Sequence, residues 1–236
     1  SPAGPRNSGL DGRPALPYKR GNSVTEKKRC YPTMVVSAYE RARQAGQGAV
    51  RTAILDTATR LLVAEGAGSL TVRRIAAEVG CSTKVIYTMF GGKDGLVEAL
   101  WLEGFARLGR HLARVPEDLE PAAYLEALGW AYREYALAEP EYYRVMFQDA
   151  VPGFEPSPEA VSYSKSTLAY AVRAVAACMR AGVLRDGDPA AVADALWMAL
   201  HGAVSLELAR MVDPAQAADR FRLLLATLLD GLRTGR

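Results

Sequence analysis

The sequence predicts an all-α protein, with a small N-terminal three-helix unit followed by a larger helical unit, and three observations carry that expectation. From Val50 onward apolar residues recur three and four positions apart. No stretch alternates apolar and polar residues as a half-buried strand would, and Gly or Pro separates the periodic blocks. Half of the 236 residues are hydrophobic, enough for the core of one large domain or two small ones.

Residues 1–46 fall outside this pattern. "SPAGPRNSGLDGRP" and "EKKRC" are rich in Gly, Pro and charge and have no apolar period, so the segment reads as a disordered basic arm. Its Lys19, Arg20, Lys27, Lys28 and Arg29 suit phosphates as well as they suit a solubilising tail. Lys and Arg outnumber Asp and Glu by 15 to 7 in residues 1–96 and are outnumbered by 14 to 19 thereafter. A net +8 at the front and −5 at the back point to a polyanionic partner for the front only. No window holds the roughly eighteen continuous apolar residues of a membrane span, and no apolar signal region opens the chain. The expectation is a cytoplasmic protein with no membrane partner. Cys30, Cys81 and Cys178 are odd in number and widely spaced, which fits neither a disulfide framework nor a paired zinc site; no metal and no cofactor is expected.

The first helix, Val50–Glu65, places Ile54, Ala58, Leu61 and Leu62 on one face and stops at Gly66. Thr71 can cap a short second helix with Val72, Ile75, Ala76 and Val79 inward, and Gly80 ends it. Ser82 is placed to cap a third, with Ile86 and Phe90 inward and Gly91-Gly92 as its stop. Lys93 opens a fourth through Leu96, Leu100, Phe105, Leu108 and Leu112 to about Val115. Two short helices joined across Gly80 by a three- or four-residue turn form a helix-turn-helix, whose second helix enters the DNA major groove by its N-terminal end. Polar residues must then come first along that helix. Thr83 and Lys84 reach base edges, Thr88 lies one turn on, and Val85 can touch a thymine methyl. Tyr87 and Lys93 reach phosphates. On spacing alone, an ordinary helical hairpin in a bundle fits equally well.

"LTVRRIAAEVGCSTKVIYTMFGGKDGLVEAL", residues 70–100, with the helix before it, resembles the DNA-binding domain of the TetR family of bacterial transcriptional regulators. The likeness covers roughly Val50 to Leu100 and includes the Thr before the second helix, the Ile-Ala pair, the turn Gly, the Tyr and Phe of the recognition helix, and the Lys and Leu after it. It implies that Thr71 and Arg73 stand at the DNA-facing end of the second helix. It further implies that Ser82, Tyr87 and Lys93 hold phosphates while Thr83, Lys84 and Thr88 face the groove. Met89, where a His or Tyr is usual, and Gly91-Gly92 depart from the family pattern. The resulting division is an arm over 1–46, a DNA-binding domain over 47–96 and an effector-binding and dimerisation domain over 97–236.

The C-terminal part supplies the helices that such a domain requires: about Glu120–Ala138, "EYYRVMFQ", Pro158–Ala181, Asp188–Met211 and Pro214–Thr234. "DAVPGFEPSP" between the sixth and seventh is a candidate pocket lid. "WMALHGAVSLEL" is similar to a TetR subgroup marked by Trp-His-Gly, here Trp197, His201 and Gly202. Candidate pocket residues are Trp101, Phe105, Tyr124, Met146, Phe147, Tyr163, Tyr170, Trp197 and His201, a set suited to a small apolar or aromatic effector, with His201 read as a structural group more readily than a ligand contact. Leu196, Leu200, Val204 and Leu208, with Leu224 and Leu228, form the expected interface of a homodimer, because helices apolar on more than one side need covering.

Enzyme readings find no support. The two histidines lie on different helices, no GxSxG or HExxH appears, "GQG" follows no strand, and "GGKD" lacks the rest of a phosphate loop. The expected function is therefore a ligand-responsive repressor that leaves a pseudo-palindromic double-stranded DNA operator when its effector binds. An effector-independent, dimeric DNA-binding or architectural protein is the alternative.

Overall fold

The computed structural model describes residues 38–235, with nine α-helices and no strand among them. They are α1 (Ala38–Glu65), α2 (Val72–Val79), α3 (Thr83–Phe90), α4 (Lys93–Leu112), α5 (Pro121–Ala138), α6 (Pro140–Phe147), α7 (Pro158–Arg180), α8 (Pro189–Leu208) and α9 (Pro214–Leu232). Five of them begin with Pro in the first turn, where the missing N–H costs nothing. Asp188 and Asp213 cap α8 and α9 by accepting from the backbone N–H of Ala190 and Ala215.

The helical part of the chain begins twelve residues earlier than its apolar period indicates. Residues 38–46, assigned from composition to the arm, belong to α1. Ala, Glu, Arg and Gln dominate that stretch, and their helix propensity carries the chain through Gly46 and Gly48 on an exposed turn where no packing is needed. The arm cations Lys19, Arg20, Lys27, Lys28 and Arg29 lie outside the described residues.

Side chains bury into two cores. Ile54, Leu55, Leu62, Ile75, Ile86 and Leu96 anchor the first, where α1, α2, α3 and the start of α4 meet. The second holds the rest of α4 and α5 to α9 around Tyr135, Tyr143, Val175, Leu200, Val204 and Phe221. Only α4 supplies buried side chains to both in number: Leu96, Val97 and Leu100 to the first, Phe105, Leu108 and Leu112 to the second. Midway along it, Gly104 lets α6 lie close, since a Cβ there would stand 2.5 Å from Met146 Sδ, and Tyr135 Oη donates to the Gly104 carbonyl at 2.8 Å.

The segment between α6 and α7 does not cover the second core. Ala150, Val151 and Phe154 pack on the first, and Ser157 N–H donates to Glu98 at 3.1 Å. Its two prolines and one glycine signalled an irregular loop correctly, but its apolar residues decide where it goes. The expected lid is instead a strap on the N-terminal domain.

Three of the six residues read from the sequence as a dimer face are covered within the chain itself. Leu196, Leu200 and Val204 are buried among the chain's own helices, and Leu208, Leu224 and Leu228 are half-buried against the same core. Four-residue spacing identified a real apolar stripe but not which neighbour covers it. The exposed apolar strip of α8 lies on the opposite side of the helix, at Ala195, Met198, Gly202 and Leu206. Helix α8 has the length and hydropathy to cross a membrane. One stripe of it is buried among α5, α7 and α9, and the bidentate Arg133–Glu207 pair ties it to α5 at 2.8 and 2.6 Å.

These two faces predict opposite outcomes. Val204→Glu, at a position with no exposure, should lower the unfolding free energy by several kcal/mol because the carboxylate gains no partner there. Leu206→Glu, at 51 % exposure, should leave the unfolding midpoint of the isolated chain almost unchanged. Urea unfolding followed by circular dichroism separates the two.

Candidate nucleic-acid interface and internal cavity

Thr71 Oγ1 accepts from the Arg74 N–H at 3.2 Å and starts α2. Gly80, at φ 76°, closes it in a left-handed conformation that a side chain would strain. Gly80, Cys81 and Ser82 complete the turn, and α3 packs back through Ile86 and Phe90. With its inner face so fixed, α3 presents Ser82, Thr83, Lys84, Tyr87 and Thr88 outward, Tyr87 at 56 % exposure. Ser82 occupies the cap position, yet its hydroxyl makes no capping bond and is left for a partner.

Charge on this face is not neutralised from within. Arg74 pairs with Glu65 and Glu78 at 3.3 and 3.1 Å, whereas Arg73, Lys84 and Lys93 have no carboxylate partner among the described residues. All three are exposed, and Lys93 opens α4 just past the Gly91-Gly92 turn. The groove-facing place expected for Val85 is corrected in part: it is half-buried against the first core. Met89, one turn beyond, is half-buried too, which removes it from the outer face.

A cavity of about 360 Å³ lies within the second core. Phe105 and Leu108 of α4, Leu125, Leu128 and Tyr132 of α5, Phe147 of α6, Leu168, Tyr170 and Ala171 of α7, Leu196, Trp197 and Leu200 of α8 and Leu225 of α9 line it, and its mouth opens to solvent beside the exposed Lys165 and Asp194. Of the nine expected pocket residues, Phe105, Phe147, Tyr170 and Trp197 line it. Trp101 packs at a tilt against Phe105 with ring centres 4.5 Å apart and does not line the cavity, and Met146 is spent against Gly104 and Tyr135. Tyr124 packs at the core's edge, and Tyr163, 45 % exposed, borders a separate surface groove between α4 and α7. The aliphatic and small lining residues escaped sequence reading because they carry no distinguishing chemistry; Leu196 and Leu200 were assigned to the dimer face instead.

His201 stands behind the cavity wall. Its Nδ1 is 2.9 Å from Tyr132 Oη and 2.7 Å from Tyr143 Oη, and Tyr143 Oη also lies 3.1 Å from Ser205 Oγ. Burial lowers the imidazole pKa, so the ring is held neutral between Tyr143 and the edge of Phe147. It positions the wall tyrosine Tyr132 and does not reach the cavity.

The two cores are tied together at Arg107. Its guanidinium donates to Glu103 at 3.1 Å on the same helix, to Asp56 of α1 at 2.6 Å and to Glu139 at the α5–α6 corner at 2.9 Å. It also lies 4.1 Å from the ring centre of Tyr142, whose hydroxyl donates to Asp56 at 2.9 Å. Burial opposes the charge, but Tyr142, Asp56 and Glu139 together raise the pKa above the ordinary arginine value. Arg51 of α1 and Arg110 of α4 add to the network through Glu103. Sequence reading missed it, since its members are spread over some ninety residues without a motif.

A free cationic recognition helix carried by one long helix that also walls a cavity defines a helix-turn-helix regulator of transcription. The sequence profile of the tetR family of bacterial regulatory proteins matches residues 54–100, and that of tetracyclin repressor-like C-terminal domains matches residues 125–228. The chain is similar to the HTH-type transcriptional regulator Rv1816 of Mycobacterium tuberculosis, 23 % identical over 217 residues, covering 77 % of this chain and 93 % of the relative. Among solved structures it is similar to a protein of unknown function from Rhodococcus sp. RHA1 (28 % identity, TM-score 0.68, 78 % of this chain and 96 % of that one). The putative regulatory protein SCO4313 is comparable (28 %, 0.65, 80 % and 98 %). The chain belongs to the TetR family of bacterial transcriptional regulators, whose members are not enzymes. Among the described residues no cluster of three or more His, Cys, Asp or Glu could hold a metal ion.

The interface predicts separable effects on DNA binding. Lys93→Ala should weaken binding to all sequences alike and reduce the slope of log affinity against log salt by about one. Lys84→Ala should instead relax the preferred base at one position per half-site, by about 1–3 kcal/mol of discrimination. Both are read by selecting from a random duplex library with each variant and titrating the enriched DNA at several salt concentrations. The His201 network predicts a pH dependence whose sign follows from its depressed pKa: the unfolded chain takes up a proton near pH 6.5 that the folded chain refuses until lower pH. This contribution is complete above that value and is lost as pH falls through the folded pKa. Denaturation midpoints measured from pH 7.5 to 5 should decline, and less steeply in His201→Gln; some slope remains because His111, whose pKa burial also lowers, acts with the same sign.

Proposed function

We propose that this TetR-family regulator is a cytoplasmic, dimeric repressor that dissociates from a pseudo-palindromic operator when a small apolar or aromatic molecule fills the cavity in its C-terminal domain. The observation that carries the reading is the path of α4, which begins at Lys93 beside the recognition helix and walls the cavity with Phe105 and Leu108. A ligand that displaces Phe105 or Phe147 acts on α4 and α6, and both meet α1 through Arg107 and Tyr142. Coupling of about 1–3 kcal/mol through that junction would change operator affinity about 5- to 150-fold. A concave, mainly apolar pocket of this size with a few polar groups at its edge is the ordinary form of a small-molecule site, which favours the ligand-responsive reading over an effector-independent architectural protein.

The same family places such chains on DNA as dimers, and the exposed strip Ala195, Met198, Gly202 and Leu206 on α8 offers a self-complementary surface with small residues that allow close approach. Two recognition helices across that two-fold would read half-sites roughly 34–36 Å or a somewhat longer spacing apart. Met198→Glu combined with Leu206→Glu should yield a folded monomer by light scattering, with operator affinity reduced at least tenfold. In cells, deleting the gene should raise transcription from the promoters that the protein occupies in a genome-wide DNA pull-down. Transcription that falls instead would make the protein an activator, and a double variant that remains dimeric would move the interface elsewhere.

A further inference from the structure

We propose that the cavity selects an uncharged ligand: an apolar body of about a dozen or more non-hydrogen atoms, with at most one small neutral polar end turned toward α7. The inference rests on the reading of this cavity as an effector site and deepens it by naming the chemical class.

Volume sets the scale. At roughly 30 Å³ per water-sized group, about 360 Å³ accommodates on the order of a dozen such groups. The lining then sets the chemistry, because three of its hydroxyls are spoken for inside the protein. Tyr132 Oη is engaged with His201 at 2.9 Å, Thr167 Oγ1 donates to the Ser164 carbonyl at 2.7 Å, and Ser164 Oγ donates to the Val161 carbonyl at 2.8 Å. The far wall, formed by Phe105, Phe147, Trp197, Leu128, Leu200 and Leu225, offers rings and methyl groups. Tyr170, half-buried on α7, is the lining residue whose hydroxyl makes no bond within the described protein, which gives a neutral polar end one place to go.

Ionisable side chains reach the lining at two places only, Lys165 of α7 and Asp194 of α8. Both are exposed, and they are of opposite sign, so neither the field at the rim nor any buried partner offsets the transfer of an ion out of water. His201, the nearest base behind the wall, is held neutral and already bonded. A carboxylate or an ammonium carried past the rim into the body of the cavity therefore loses its hydration without gaining a counter-charge, because Lys165 and Asp194 stand only at the exposed mouth, whereas a hydroxyl, ketone or bare ring loses little.

The class is tested with ligands that share a body and differ only in the head. The full chain is titrated with N-phenyl-1-naphthylamine, an uncharged dye that brightens in apolar surroundings, and the dye is displaced at pH 7.5 by 1-decanol, decanoate or decyltrimethylammonium below their micelle concentrations. Decanol should displace the dye at concentrations at least tenfold lower than either ion. Ala171→Phe and Leu168→Phe, which fill the cavity from α7, should abolish dye binding with helix content unchanged. Decanoate or decyltrimethylammonium displacing as well as decanol would overturn the uncharged class while leaving the effector site intact. Failure of the wild-type chain to bind either dye or decanol, the latter followed by native mass spectrometry, would overturn the effector reading and this proposal together. Dye binding that survives in both well-folded filling variants would assign the ligand to another place.

Discussion

Arg107 is the point at which the two halves of the molecule depend on one another. A guanidinium so little exposed must recover the hydration it loses, and no single carboxylate does so. Asp56 from the DNA-binding domain, Glu103 from its own helix, Glu139 from the α5–α6 corner and the face of Tyr142 share the task. Each partner comes from an element with a different duty: α1 carries the helix-turn-helix, α4 connects the cores, and α6 supplies Phe147 to the cavity. The geometry at Arg107 therefore holds only when all three stand in one relative arrangement, which makes this junction the point through which the proposed switch would run.

The surrounding packing gives this junction its leverage. Gly104, three residues before Arg107, allows α6 to approach α4 closely enough for Met146 and Tyr135 to lock against it. The strap after α6 then turns away from the cavity and lays Val151 and Phe154 on the first core. Helix α6 is thus clasped on one side by α4 and continued on the other by a segment fixed to the DNA-binding domain. Close-packed elements of this kind move as units between discrete arrangements and do not deform smoothly.

The cavity and the recognition face show opposite electrostatic designs. On α3 and at the start of α4, cations are left without intramolecular partners, so that phosphates can supply them. Around the cavity, the hydroxyls of Tyr132, Ser164 and Thr167 and the His201 imidazole are paired within the protein, and charge is kept to the exposed rim. One chain therefore presents unpaired cations on its helix-turn-helix face and a mainly apolar lining in its C-terminal cavity.

The sequence by itself determined what depends on near neighbours. Helix existence and boundaries from α2 onward follow from apolar spacing, prolines at helix starts and glycines at helix ends. The outward order Ser82, Thr83, Lys84, Tyr87 and Thr88 follows from the inward order Ile86 and Phe90, because a helix that buries one face must expose the other. Tertiary structure alone decided what depends on which surfaces meet. Leu196, Leu200 and Val204 read equally well as a dimer face or an internal wall, since burial removes a leucine from water whatever covers it. The α6–α7 segment reads as a lid until Phe154 is seen on the other core. The Arg107 network joins residues from 51 to 142, and ion pairing at that separation leaves no periodic trace in the chain, because charge has no preferred spacing until the fold brings the helices together.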